Sequence, residues 1–207
     1  MLIPSLNLTL AAALLAGGVM MAPALANLLT RLLTREGKAD LWLKPARFAN
    51  PWRYWLLAWV LPAVGTILGA ALYFALFPSA FDRNLESLRA LLSAAAPDQN
   101  VSPWTYLLVN TLQALLLAPI LNAVFCFGEE FGWRAYLLPK LLPLGTRKAV
   151  LVSGAIWGVW HAPIIAMGHN YGLDYPGYPW LGMLAMVLFC VVIGTLLSWL
   201  TLKEGSL

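Results

Sequence analysis

Residues 125–139 read FCFGEEFGWRAYLLP, so Glu129, Glu130 and Arg134 stand inside a stretch that is otherwise apolar and aromatic. A charged side chain near the centre of a bilayer costs about 2.5–3.5 kcal/mol on insertion scales, and carboxylates found there are by default candidate functional groups. Working outward from this stretch decides whether the surroundings are membrane. Upstream lies WTYLLVNTLQALLLAPILNAVF, from Trp104 to Phe125, and downstream AVLVSGAIWGVWHAPIIAM, from Ala149 to Met167. Both are long enough and apolar enough to be transmembrane helix candidates.

The rest of the chain has the same character. It has 207 residues, of which 61% are hydrophobic and 11% charged, whereas charged residues make up about 25% of a soluble domain. The mean hydropathy is +0.75. Runs this continuous, without alternation of period two, exclude a transmembrane barrel and leave helices, which satisfy their own backbone in hydrocarbon. The expected fold is all-α, a polytopic transmembrane helical bundle of about five spans. These run from about Ser5 to Leu29, Trp52 to Phe77, Trp104 to Phe127, Ala149 to Met167 and Pro179 to Leu202. A charged helix from Glu129 to Leu142 falls between spans three and four and is halted near Pro139 and Pro143. The expected organisation is one membrane domain, 1–207, with residues 104–167 as the core that carries the polar motifs.

Charge is distributed unevenly over the connections. The first carries Arg31, Arg35, Lys38, Lys44, Arg47 and Arg53, and the third Lys140, Arg147 and Lys148. The second balances Arg83 and Arg89 against Asp82, Glu86 and Asp98, and the fourth has neither lysine nor arginine. The positive-inside rule then puts connections one and three in the cytoplasm, the N terminus outside and the C terminus inside, with the plasma membrane as the expected location. Membrane orientation accounts for the net charge of +4. No basic run is long enough for nucleic acid, and none is expected as a partner. The APALA sequence ending at Ala26 resembles a leader cleavage site. No basic residue precedes Arg31, however, so an uncleaved first span is expected. Cys126 and Cys190 lie singly in apolar runs and read as small buried side chains.

Two groups of residues carry chemistry. Residues four apart share a helix face, so Glu130 and Arg134 are placed to pair, which leaves Glu129 available. The plain alternative is that both glutamates only favour a helix N-terminus. His161 lies in SGAIWGVWHAPII, with Trp157 and Trp160 beside it and Pro163 placed to distort the helix. A lone histidine in a span also serves as a helix-to-helix hydrogen-bonding residue. A short link joins the two segments, which makes them expected neighbours. Carboxylate and imidazole together polarise a water for attack on a carbonyl, or share a metal ion. Trp133, Trp157 and Trp160, the aromatic residues nearest these groups, are the candidate substrate-binding side chains.

EEFGWRAYLLP followed by WGVWHAP resembles the CAAX protease and bacteriocin-processing family, membrane proteases related to the Rce1-type CAAX prenyl endopeptidase. Its first motif, Glu-Glu-x-x-x-Arg, matches at Glu129, Glu130 and Arg134. Its second, an aromatic residue four before a histidine, matches at Trp157 and His161, with Trp where eukaryotic members usually have Phe. The resemblance implies an intramembrane endopeptidase in which Glu129 is the general base and His161 its partner in polarising the attacking water. Glu130 and Arg134 would orient the site and help hold substrate. The implied partners are a peptide or membrane-protein substrate and the lipid bilayer. Some members are described as metalloproteases, which makes a divalent metal such as zinc a candidate cofactor beside a metal-free mechanism. The non-enzymatic alternative is a membrane peptide-binding, self-immunity or scaffold protein that uses the same cavity.

The family's further motif, His-x-x-x-Asn on a later span, has no counterpart here. The other histidine, His169, precedes Asn170 in a loop and reads as an exposed loop residue. The expectation is therefore a weakened activity for this chain alone, as a truncated version of a full protease, as one whose final helix comes from a partner chain, or as a noncatalytic relative.

Overall fold

The computed structural model describes residues 3–38, 41–43, 52–95 and 100–204, with side chains described from Gly17 to Lys203. Lys44, Arg47 and Asp98, which entered the charge reading of the connections, lie outside them. The protein is all-α, and no strand occurs among the described residues. The helices are α1 (Ile3–Thr34), α2 (Trp52–Leu76), α3 (Glu86–Ala95), α4 (Pro103–Leu121), α5 (Ala123–Gly132), α6 (Leu138–Leu141), α7 (Thr146–Trp160), α8 (Ala162–Ile165) and α9 (Trp180–Glu204). A π-turn, Trp133–Leu137, joins α5 to α6. The chain divides into two compact units, Met1–Tyr54 with Val124–Leu207 in one and Trp55–Ala123 in the other.

Three helices among the described residues are long and apolar enough to cross a membrane: α2, α4 and the stretch Trp180–Lys203 of α9. They coincide with the second, third and fifth expected spans. None of the residues of α2 is buried, and Ile67, Leu68 and Leu72 are exposed along it. Such a surface is stable only in hydrocarbon, where lipid tails replace a protein core. The first expected span lies in α1, which has 32 residues. The fourth is shorter than its apolar run. Helix α7 ends after 15 residues at Trp160, because Pro163 brings no N–H and its ring opposes the carbonyl one turn back. The third span also stops early, at Leu121, and the charged helix begins at Ala123.

Within the first unit, glycines set the packing. Gly154 and Gly158, one turn apart on α7, meet the backbone of α9. A Cβ at Gly154 would lie 2.8 Å from the Val191 Cα, and one at Gly158 would lie 2.5 Å from the Val187 Cα. Gly128 and Gly132 do the same for α5 against α1, where added Cβ atoms would meet the Met20 carbonyl oxygen at 2.9 Å and the Pro23 carbonyl carbon at 2.6 Å. Four-residue spacing of small side chains is how helices approach closely where no hydrophobic effect drives them together. Gly158→Leu is therefore expected to force α7 and α9 apart at a cost of at least about 1–3 kcal/mol, visible as a lower Tm in detergent. Gly65→Leu, at a glycine with nothing within 4 Å of its added Cβ, should leave Tm near wild type.

Polar contacts fix the end of α1 to the end of α6. The Lys140 ammonium lies 2.8 Å from Glu36 Oε2, and the Tyr136 ring receives Arg31 at 5.2 Å and Lys140 at 5.4 Å. Hydrogen bonding to Lys140 holds the Glu36 carboxyl below its ordinary range, and the same bond raises Lys140. Basic residues of the first and third connections thus stand at one end of this unit.

Candidate functional site

The site is built on the junction of α5 with the π-turn and on the last turn of α7. The π-turn shifts the backbone ladder by one residue, a distortion found frequently at functional sites. Beside it, the buried Asn27 amide on α1 donates to the Phe131 carbonyl at 2.8 Å, and Arg31 Nε donates to Asn27 Oδ1 at 2.7 Å. This pair ties α1 to the segment that bears the glutamates.

Glu130 and Arg134 pair as the four-residue spacing predicts, with Nη1 donating to Oε1 at 2.8 Å. Arg134 is buried, 1% exposed, and its Cζ sits 4.3 Å from the centre of the Trp157 ring. Helix α9 makes room at Gly194, where an added Cβ would lie 3.5 Å from Nη2. An arginine so placed is held by charge, by hydrogen bonding and by an aromatic face together. Its Nε and the Trp133 indole nitrogen are buried without a hydrogen-bond partner among the described residues.

Glu129 turns to a different neighbour. The Trp157 indole N–H donates to Glu129 Oε2 at 2.9 Å. One turn on, His161 Nδ1 lies 2.8 Å from the Trp157 carbonyl oxygen. A carbonyl only accepts, so Nδ1 carries the proton, and in the neutral imidazole Nε2 holds a free lone pair. The break in the helix makes this possible. The His161 backbone N–H turns to the Gly158 carbonyl at 3.1 Å, which leaves the Trp157 carbonyl to the side chain as one of the orphan acceptors of a helix C-terminus. Trp160 meets the imidazole edge-on at 4.9 Å, and Trp133 meets Trp160 at 5.7 Å. The sulfur of Cys190, on α9, is 4.0 Å from His161 Nδ1.

The structure thus gathers Glu129, Glu130, Arg134, Trp133, Trp157, Trp160 and His161 in one region, with Trp157 between Glu129 and His161 in place of a direct hydrogen bond. His169 remains exposed, in the turn after α8. A carboxylate and an imidazole that each keep an acceptor atom without a partner among the described residues suit the removal of a proton from water. The described residues alone do not make up a zinc site. Glu130 is engaged by Arg134, His161 offers one nitrogen, and no group of three His, Cys, Asp or Glu residues among those described is placed to hold an ion. Asn27 and the glycine pairs were not singled out from the sequence, and Cys190 was read there only as a small buried side chain, which it is. An amide one turn before an arginine inside a predicted span was the available signal for the first of these.

Comparison with known proteins bears on this region directly. A family model described as type II CAAX prenyl endopeptidase Rce1-like matches residues 103–207, which contain both glutamates, Arg134 and His161. A CAAX prenyl protease 2 from Methanococcus maripaludis is 31% identical over 92 residues, 44% of this chain and 32% of that protein. The matched stretch thus spans about a third of that relative's length. No solved structure matches.

Proposed function

The chain belongs to the type II CAAX prenyl endopeptidase Rce1-like family, and we propose that it is an intramembrane endopeptidase that uses Glu129 to activate water. The observation that carries this reading is the linkage of Glu129 and His161 through one residue, Trp157, at 2.9 and 2.8 Å. Water held between the free Glu129 oxygen and His161 Nε2 attacks the carbonyl carbon of a peptide bond. The proton it loses passes to the carboxylate or the imidazole and is returned to the departing amine nitrogen, so the products are a new carboxylate and a new amine. No covalent enzyme intermediate is formed. Glu130 and Arg134 hold the segment that presents Glu129. Trp133 and Trp160 supply an aromatic wall for the substrate, a peptide or a membrane-protein segment.

The protein is integral to a membrane, and we place it in the plasma membrane with the N terminus outside and the C terminus in the cytoplasm. The Glu36–Lys140 ion pair supports this, since it keeps the basic first and third connections on one side. A reporter fused after Leu207 is expected to behave as cytoplasmic, and an extracellular signal would overturn the orientation.

The activity is tested with the purified protein in lipid nanodiscs and a panel of fluorogenic peptides, with and without a prenylated C-terminal cysteine. Products are identified by mass spectrometry. Cleavage at a defined bond that persists after chelation supports the reading. Binding without cleavage across the panel would favour the peptide-binding alternative.

A further inference from the structure

Resting on the endopeptidase reading, we propose that Trp157 is a positioning residue that sets the geometry of both reacting groups, through its indole N–H for Glu129 and its backbone carbonyl for His161. Three contacts converge on this one residue. The indole nitrogen donates to Glu129 Oε2 at 2.9 Å. The carbonyl accepts from His161 Nδ1 at 2.8 Å. The ring face carries the Arg134 guanidinium at 4.3 Å, and that guanidinium holds Glu130 at 2.8 Å.

Each contact has a chemical consequence. A carboxylate with one oxygen engaged by a neutral donor cannot rotate freely, so its second oxygen faces a fixed direction. That second oxygen, Oε1, has no hydrogen-bond partner among the described residues and is the acceptor open to water. The carbonyl fixes the imidazole as the Nδ1–H tautomer, which leaves Nε2 as its acceptor. Two acceptors aimed by one residue are what a bound water needs to be oriented rather than merely captured.

The indole N–H is separable from the other two contacts. A phenylalanine at this position keeps an aromatic face for Arg134 and an unchanged backbone carbonyl for His161, and loses only the donor to Glu129. A purely packing role predicts that Phe replaces Trp at no cost. The positioning role predicts a loss confined to turnover, because substrate binding makes no use of the indole nitrogen.

The test compares wild type, Trp157→Phe and Trp157→Leu in nanodiscs, with kcat and KM on a cleaved peptide and Tm on the same samples. Trp157→Phe should lower kcat by about 10- to 100-fold, the range for loss of a hydrogen bond to a charged group, with KM within about twofold and Tm unchanged. Infrared difference spectra should show the Glu129 carboxylate band, assigned through Glu129→Gln, displaced in Trp157→Phe. Trp157→Leu should lose Tm as well, since it also uncovers Arg134. Wild-type kcat in Trp157→Phe, or an unmoved carboxylate band, overturns the positioning role and leaves the endopeptidase reading standing. A wild type that cleaves nothing overturns the endopeptidase reading and the positioning role with it.

Discussion

Glu129→Gln is expected to lower kcat by roughly 10²- to 10⁴-fold, the usual worth of a positioned general base, with Tm close to that of wild type. The glutamine is isosteric, and its amide oxygen still accepts from the Trp157 N–H that now reaches Glu129 Oε2. What disappears is the capacity to take a proton from water. Because the change leaves the aromatic wall and the Glu130–Arg134 pair in place, KM should move little. The loss should then appear equally in kcat and kcat/KM, the signature of an interaction made only in the transition state. Steady-state cleavage of a fluorogenic peptide in nanodiscs reads this out. A Glu129→Gln protein that retains more than about a tenth of the wild-type rate would remove Glu129 from the role of base.

Arg134→Ala is expected to cost about 3–5 kcal/mol of folding stability, as removal of one partner from a buried ion pair does. Its guanidinium is buried, bonded to Glu130 at 2.8 Å and seated on Trp157. Alanine leaves the partly buried Glu130 carboxylate without its counter-charge and strips the Trp157 ring of a contact. Arg134→Lys recovers only part of the loss, because a compact ammonium does not reproduce a planar guanidinium on an aromatic face. The double variant Glu130→Gln/Arg134→Met removes both charges and fills much of the volume. It should regain most of the stability that Arg134→Ala loses. Thermal unfolding in detergent, followed by tryptophan fluorescence, checks the order. Equal Tm values for Arg134→Ala and the double variant would show that the isolated carboxylate is not the source of the cost.

Much of this was legible in the sequence, and the parts that were not share a physical cause. The apolar runs at 52–77, 104–127 and 179–202 give helices because hydrocarbon leaves the backbone no other way to satisfy itself. Glu130 and Arg134 pair because four residues make about one turn. The end of the fourth span was harder to place. Ala149–Met167 is uniformly apolar, and only Pro163 hints that the helix stops at Trp160. The π-turn at Trp133–Leu137 has no signature in composition, and neither does the bond from Asn27 on α1 to the Phe131 carbonyl beside it. The tie between Glu129 and Trp157 is likewise tertiary. The two lie 28 positions apart in the sequence, and the indole could equally have faced substrate, the role its setting suggested. The glycines at 128, 132, 154 and 158 were visible at four-residue spacing, but their meaning depends on which helix crosses them.

The central claim is that Glu129 and His161 act as one unit on water, and a double-mutant cycle tests it most directly. Cleavage rates are measured for wild type, Glu129→Gln, His161→Phe and the double variant on one peptide in one nanodisc preparation. Groups that act together are non-additive, so the double variant is predicted to be no slower than the slower single variant. If the two losses multiply, Glu129 and His161 work independently, and a shared site is contradicted.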